Sequence, residues 1–128
     1  LHRNYLIGTL ATKLLNKDKE NPNVTKVEVE WLNKGIGRAI NFFRLSNYIT
    51  DNLFHHVGIY SFTKSSLSKF VKLPKSNNET NFNLEQLRAI DSNIEIGITL
   101  VNDIPISIDT KEDLITAESI IRANHEKN

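Results

Sequence analysis

The run Lys26-Val27-Glu28-Val29-Glu30-Trp31 constrains this chain more than any other stretch. Val27, Val29 and Trp31 alternate with Lys26, Glu28 and Glu30. That period of two marks a strand with one face buried. Asn21-Pro22-Asn23 before it is a turn signal, and Asn33 to Gly37 contains the glycines of a second turn. Arg38 to Phe43 then returns, so the pair predicts a β-hairpin.

Other elements follow from the same two periods. Tyr5 to Leu10 is apolar and reads as a strand, with a polar loop after it through Lys17 to Asn23. Phe54 to Phe62, with Val57, Ile59 and Tyr60, reads as another strand. Ser65 and Ser66 can cap a short helix, on which Leu67, Phe70 and Val71 fall at i, i+3 and i+4. Lys75 to Glu79 reads as a polar loop. A helix is expected over Asn83 to Asp91, with Leu84, Leu87 and Ile90 along one side. Ile94 to Val101 reads as a strand, and Pro105 to Ile108 as a shorter extended piece. The last helix starts near Asp109-Thr110, where Thr110 with Asp113 resembles a capping box. Leu114, Ala117, Ile120 and Ile121 give that helix an apolar face. Alternating strands and helices in the second half predict an α/β fold, with a mixed β-sheet and flanking helices.

Composition excludes several classes. Hydrophobic residues make up 39% and charged residues 24%, enough for a core and unlike a disordered chain. Sixteen Lys and Arg against fifteen Asp and Glu leave a net charge of +1, which is no footprint for nucleic acid. The chain has no cysteine, so a disulfide framework and thiolate chemistry are excluded, and a cytoplasmic setting fits. Four histidines without His-Glu-x-x-His spacing predict no zinc site. No serine sits in Gly-x-Ser-x-Gly, and Gly35-x-Gly37 is a turn-sized fragment with no phosphate-cradling length. No apolar run is long enough to span a membrane. The start, Leu1-His2-Arg3-Asn4, has neither an initiator methionine nor a signal-peptide pattern, as expected of a chain trimmed or cut from a longer product.

Several segments resemble one family in their order along the chain. Phe54-His55-His56-Val57-Gly58-Ile59-Tyr60-Ser61-Phe62 resembles an aromatic-x-His-(Ile/Val)-Gly-(Ile/Leu)-Tyr segment of the CMP-Kdo synthetases, the 3-deoxy-D-manno-octulosonate cytidylyltransferases. Leu73-Pro74-x-Ser76 resembles that family's Leu-Pro-x-Ser loop, and Leu84-Glu85-Gln86-Leu87-Arg88-Ala89 matches its Leu-Glu-Gln-Leu-Arg helix letter for letter. Ile108-Asp109-Thr110-Lys111-Glu112-Asp113-Leu114 resembles its Val-Asp-Thr-Pro-Glu-Asp-Leu. Gly8 to Thr12, Asn21 to Val27, and Gly37-Arg38-Ala39 with Phe42-x-Arg44 resemble family segments around the hairpin. The resemblance covers nearly the whole chain. It implies that residues 1–128 are the C-terminal part of a single cytidylyltransferase domain. That part is the C-terminal half of a nucleotide-sugar-transferase-like (Rossmann-like) domain. The family's N-terminal half carries an Arg- and Lys-rich nucleotide-binding loop and a metal-binding aspartate, and nothing here matches either.

The resemblance implies a reaction of CTP with the sugar acid 3-deoxy-D-manno-octulosonate (Kdo) to give CMP-Kdo and diphosphate, activating Kdo for lipopolysaccharide biosynthesis. Charge on the phosphates must be neutralised, which suits Mg2+ with carboxylate and phosphate ligands. Asp109 matches a metal-binding aspartate and is the expected catalytic and metal residue; by position alone it reads as a helix N-cap. Glu85 and Gln86 match Kdo-contacting residues, against the plainer reading of a solvated helix face. His56 and Tyr60 match sugar-pocket residues, though on an apolar strand both residue types are more often structural. Arg44 matches an arginine that could hold a carboxylate or phosphate bidentately; otherwise it is a strand-end charge.

Partners implied are CTP and Kdo, with no nucleic acid and no membrane, in a homodimer or in association with the missing N-terminal half. The sequence departs from the family at Phe43, Phe82 and Ser107 and across Leu45 to Leu53. Those departures motivate an alternative, a non-catalytic remnant binding at most a sugar or a partner. A further alternative is another sugar-acid cytidylyltransferase, one acting on sialic acid, against which the Leu-Glu-Gln-Leu-Arg match argues. A half-sheet is also expected to expose an unpaired edge, leaving the isolated chain marginally stable or self-associating.

Overall fold

The computed structural model describes residues 5–45, 50–102 and 108–126. The strands are β1 (Ile7–Lys13), β2 (Lys26–Asn33), β3 (Ile36–Phe43), β4 (Leu53–Phe62) and β5 (Ile96–Leu100). The helices are α1 (Lys64–Lys72), α2 (Asn77–Phe82), α3 (Leu87–Asp91) and α4 (Lys111–Glu126), with a single 3-10 turn at Asn16–Asp18.

β2 and β3 form the predicted hairpin. Gly35 turns it at φ +90°, which a residue with a Cβ rarely adopts. Val27 and Val29 are fully buried and Glu30 is exposed, as the alternation requires. The strands then join in the order β1-β4-β2-β3-β5 and close into a barrel. β1 and β5 run parallel, and every other neighbouring pair is antiparallel. The sheet is therefore mixed, with helices beside it, as expected. The expected unpaired edge is corrected by this closure. Two short ladders make it, Lys26–Glu28 against Leu53–His55 and Ile36–Arg38 against Gly97–Thr99. Inside, Ile7, Val27, Val29, Phe42, Ile96 and Ile98 meet Phe70 of α1 and Leu84, Leu87 and Ala89 around α3.

Local chemistry moved several boundaries. β1 runs on to Lys13 because its backbone stays paired with β4 as far as Phe54. α1 is capped by Thr63, whose hydroxyl accepts from the Ser66 N–H at 3.1 Å. The Ser66 hydroxyl instead donates to the Leu6 carbonyl at 2.7 Å. α2 replaces the loop expected at Lys75 to Glu79. Ser76 and Glu79 make a reciprocal capping box, with bonds of 3.1 and 3.2 Å. Asn83, left-handed at φ 53°, ends α2, so the helix expected from Asn83 begins only at Leu87.

Most of the extended piece expected at Pro105 to Ile108, Ser107 included, lies outside the described residues. α4 starts where expected. The Thr110 hydroxyl accepts from the Asp113 N–H, and the Asp113 carboxylate accepts from the N–H groups of Thr110 and Asp109, all at 3.1 Å. The apolar face of α4 is only partly covered: Ala117 is buried, but Leu114, Ile120 and Ile121 are 45%, 42% and 61% exposed. No described helix is long and apolar enough to cross a membrane.

Candidate functional site

β4 supplies the floor of the site through a bulge. Thr9 of β1 stands opposite Tyr60, yet Leu10 stands opposite Val57, so Gly58 and Ile59 are extra on β4. The bulge turns Tyr60 towards the α1–α3 side. There a groove of about 170 Å³ is lined by Tyr60, Phe62, Leu67, Phe70, Glu85 and Gln86, with Ile7 and Ile96 below. Gln86 is buried and Glu85 is exposed. Among the described residues, no hydrogen bond ties down either the Glu85 carboxylate or the Gln86 amide. Three of the predicted substrate residues, Tyr60, Glu85 and Gln86, thus share one groove.

The segment carrying Glu85 and Gln86 is braced from both sides. Arg88 pairs with Glu79 of α2 at 2.6 and 2.9 Å, and its guanidinium lies over the Phe70 ring at 4.8 Å. Arg44, at the end of β3, donates to the Phe82 and Asn83 carbonyls at 3.4 and 3.1 Å. These are carbonyls at the C-terminal end of α2, where a cation is favoured. Arg44 is accordingly not a lining residue of the groove; it holds the chain just ahead of Glu85.

His56 lies behind Tyr60. It is buried, its ring centroid 5.0 Å from Phe42 and 5.6 Å from Tyr60, and its Nε2 is 3.0 Å from the Thr9 hydroxyl. Burial, and then neighbouring His55, lower its pKa to about 4, so it is neutral at pH 7. Burial first and the Glu85 charge second push the Tyr60 phenol well above its usual range, so it stays protonated and can donate. The groove therefore offers an anionic acceptor, an amide and a phenol over an apolar floor. That suits a small ligand with several hydroxyl groups.

Asp109 does not line this groove. It is exposed, one residue ahead of the cap of α4, and Thr110 takes the capping role that its position suggested. Among the described residues, no group of three or more His, Cys, Asp or Glu could hold a metal ion. A cleft of about 160 Å³ on the other side of Tyr60, lined by Gly8, Thr9, Ile59 and Gly97, includes neither Glu85 nor Gln86. Sequence reasoning assigned no role to Thr9, Arg88 or Lys26. The Gly8-Thr9-Leu10 and Leu-Glu-Gln-Leu-Arg segments were the available signal for Thr9 and Arg88. Lys26 reads as a solvated strand residue in the alternation but is buried.

No family model matches the chain. It is 38% identical over 117 residues to a 3-deoxy-manno-octulosonate cytidylyltransferase of Bartonella quintana, covering 90% of this chain and 48% of that protein. The corresponding protein of Paramagnetospirillum magneticum is 37% identical over 123 residues, covering 91% and 49%. Among solved structures, a CMP:2-keto-3-deoxy-manno-octonic acid synthetase complexed with CTP superposes with a TM-score of 0.85 at 24% identity. That superposition covers 96% of this chain and 52% of the synthetase, and it shows a shared fold. The chain spans about half the length of the curated relatives it matches. Over nine tenths of its own length, the chain is similar to about half of these 3-deoxy-manno-octulosonate cytidylyltransferases.

Proposed function

We propose that this chain is the Kdo-binding, C-terminal half of a CMP-Kdo synthetase, which joins CTP and Kdo into CMP-Kdo and diphosphate for lipopolysaccharide biosynthesis in the cytoplasm. The observation that carries this reading is the convergence of Tyr60, Glu85 and Gln86 on one groove, in a chain similar over 90% of its length to such enzymes. Glu85, Gln86 and the Tyr60 phenol would hold sugar hydroxyls. A site built from such groups rejects analogues that leave them unpaired. Arg44 and His56 act from behind, one by fixing the chain before Glu85, the other by backing Tyr60.

Asp109 would contribute one carboxylate to Mg2+. When bound, the ion would offset charge on the CTP phosphates. The remaining ligands and the CTP-binding loop would come from an N-terminal nucleotide-binding half, which would complete a Rossmann-like domain. The exposed Leu114, Ile120 and Ile121 of α4 offer apolar surface to that half or to a second subunit of a homodimer.

The departures at Phe43 and Phe82 favour a second reading, a remnant that binds sugar or a partner without turnover. Phe82, one of those departures, is 55% exposed at the end of α2. An assay with CTP, Kdo and magnesium, following diphosphate release, separates the two. The chain is measured alone and mixed with the N-terminal half of a family member. Release in the mixture that is lost in Asp109→Ala supports the synthetase reading. No release from a folded, associated pair supports the remnant.

A further inference from the structure

The Thr9 hydroxyl sits at the one irregular point of the β1–β4 ladder. It points at two carbonyls, Ile59 at 2.8 Å and Val57 at 3.1 Å, on either side of the extra residues of the bulge. It also lies 3.0 Å from His56 Nε2. A hydroxyl has one proton, and carbonyls only accept. With that proton directed at the bulge, the contact to His56 is filled only if Nε2 carries a hydrogen and donates to the Thr9 oxygen. The other ring nitrogen, Nδ1, is then unprotonated. His56 in turn packs on Tyr60, whose ring walls the groove that holds Glu85 and Gln86.

The geometry points to Thr9 as a positioning residue. Its hydroxyl locks the β4 bulge and holds His56 in the Nε2–H tautomer, and through both it sets the Tyr60 wall of the groove. Valine would keep the volume and lose all three contacts. Serine would keep them. For the groove's ligand this inference rests on the sugar-binding reading above; for the tautomer and the bulge it stands on the geometry alone.

The test is long-range proton–nitrogen NMR of the histidine rings in the whole chain, comparing the parent with Thr9→Ser and Thr9→Val. In the parent and in Thr9→Ser, His56 is expected as the Nε2–H tautomer in roughly tenfold excess or more, as one good hydrogen bond supplies. In Thr9→Val that excess falls, and the Tyr60 ring resonances shift. An Nδ1–H tautomer in the parent overturns the inference, as does a valine variant with both signatures unchanged. Should Thr9→Val fail to fold, the parent and serine spectra still decide. A second arm titrates Kdo alone and follows Tyr60. Affinity is expected to fall roughly tenfold in Thr9→Val, an effect the size of one hydrogen bond, and to recover in Thr9→Ser. No response to Kdo in the parent counts against the sugar-binding reading, while the tautomer spectra still judge Thr9.

Discussion

Arg88 grips Glu79 through two parallel hydrogen bonds, Nη2 to Oε1 at 2.6 Å and Nε to Oε2 at 2.9 Å, with both side chains nearly buried. Glu79 simultaneously caps α2 through Ser76, and Arg88 stacks on Phe70 of α1. One ion pair therefore ties three helices around the turn that carries Glu85 and Gln86. Removing one member of such a pair leaves the other charge buried alone. Glu79→Gln is expected to cost about 3 kcal/mol. Arg88→Lys keeps the charge but loses the fork, and should cost about 1–2 kcal/mol. Urea unfolding of both variants checks the order; equal and negligible losses would contradict it.

His56 makes the fold sensitive to mild acid. Its pKa is lowered from 6.5 to about 4 on folding, first by burial and then by His55. A histidine held neutral contributes stability that is fully present above pH 6.5 and is lost as pH falls towards about 4. The loss over that window should approach about 3 kcal/mol. Glu79, held below its ordinary 4.5 chiefly by Arg88, adds a further loss in the same direction only at lower pH. Urea midpoints measured from pH 7.5 down to 4.5 test this. In His56→Gln the dependence between pH 6.5 and 4.5 should flatten.

Gly97 and Gly58 look alike in the sequence and should respond differently. A Cβ on Gly97 would come within 2.7 Å of the Tyr5 ring, which is buried against it. One on Gly58, in the bulge, would meet nothing within 4 Å. Gly97→Ala is expected to destabilise by about 1–3 kcal/mol through overpacking. Gly58→Ala should stay within about 0.5 kcal/mol of the parent. Thermal unfolding of the two single variants measures the contrast.

Lys26 is 1% exposed, and its ammonium donates to the Asn21 and Arg44 carbonyls, both at 2.6 Å. It fastens the loop before β2 to the end of β3, where Arg44 leaves the sheet. Burial lowers its pKa, with Asp18 opposing that shift. Lys26→Met keeps most of the volume but strands both carbonyls. It should cost about 2–3 kcal/mol and loosen Arg44 from α2. Hydrogen exchange at the Lys26–Glu28 end of β2, faster in the variant, would report it.

Much of this protein was legible residue by residue. Alternation in Val27-Glu28-Val29-Glu30 announced a half-buried strand, and the glycines after it announced the turn, because a pleated strand presents successive side chains to opposite faces. Thr110 and Asp113 announced the start of α4, because capping is local chemistry. Glu85, Gln86 and Tyr60 were legible as a set only through resemblance. α2 was missed although Ser76-x-x-Glu79 is the same local signal, because its six residues are too polar to show a periodic face.

What the tertiary structure alone decided is which face meets which. Periodicity says that Val27 and Ile96 are buried, not that β2 and β5 enclose a common interior. The closure of the barrel depends on two ladders between residues far apart in the chain. The same holds for Lys26, charged in the alternation yet sealed inside. It holds also for Thr9, which acquires its partners only when a bulge 47 to 50 residues away folds back onto it. Local spacing sets secondary structure because its forces act within a turn or a pleat. Tyr60 and Glu85 share a groove only because the packed core brings their elements together.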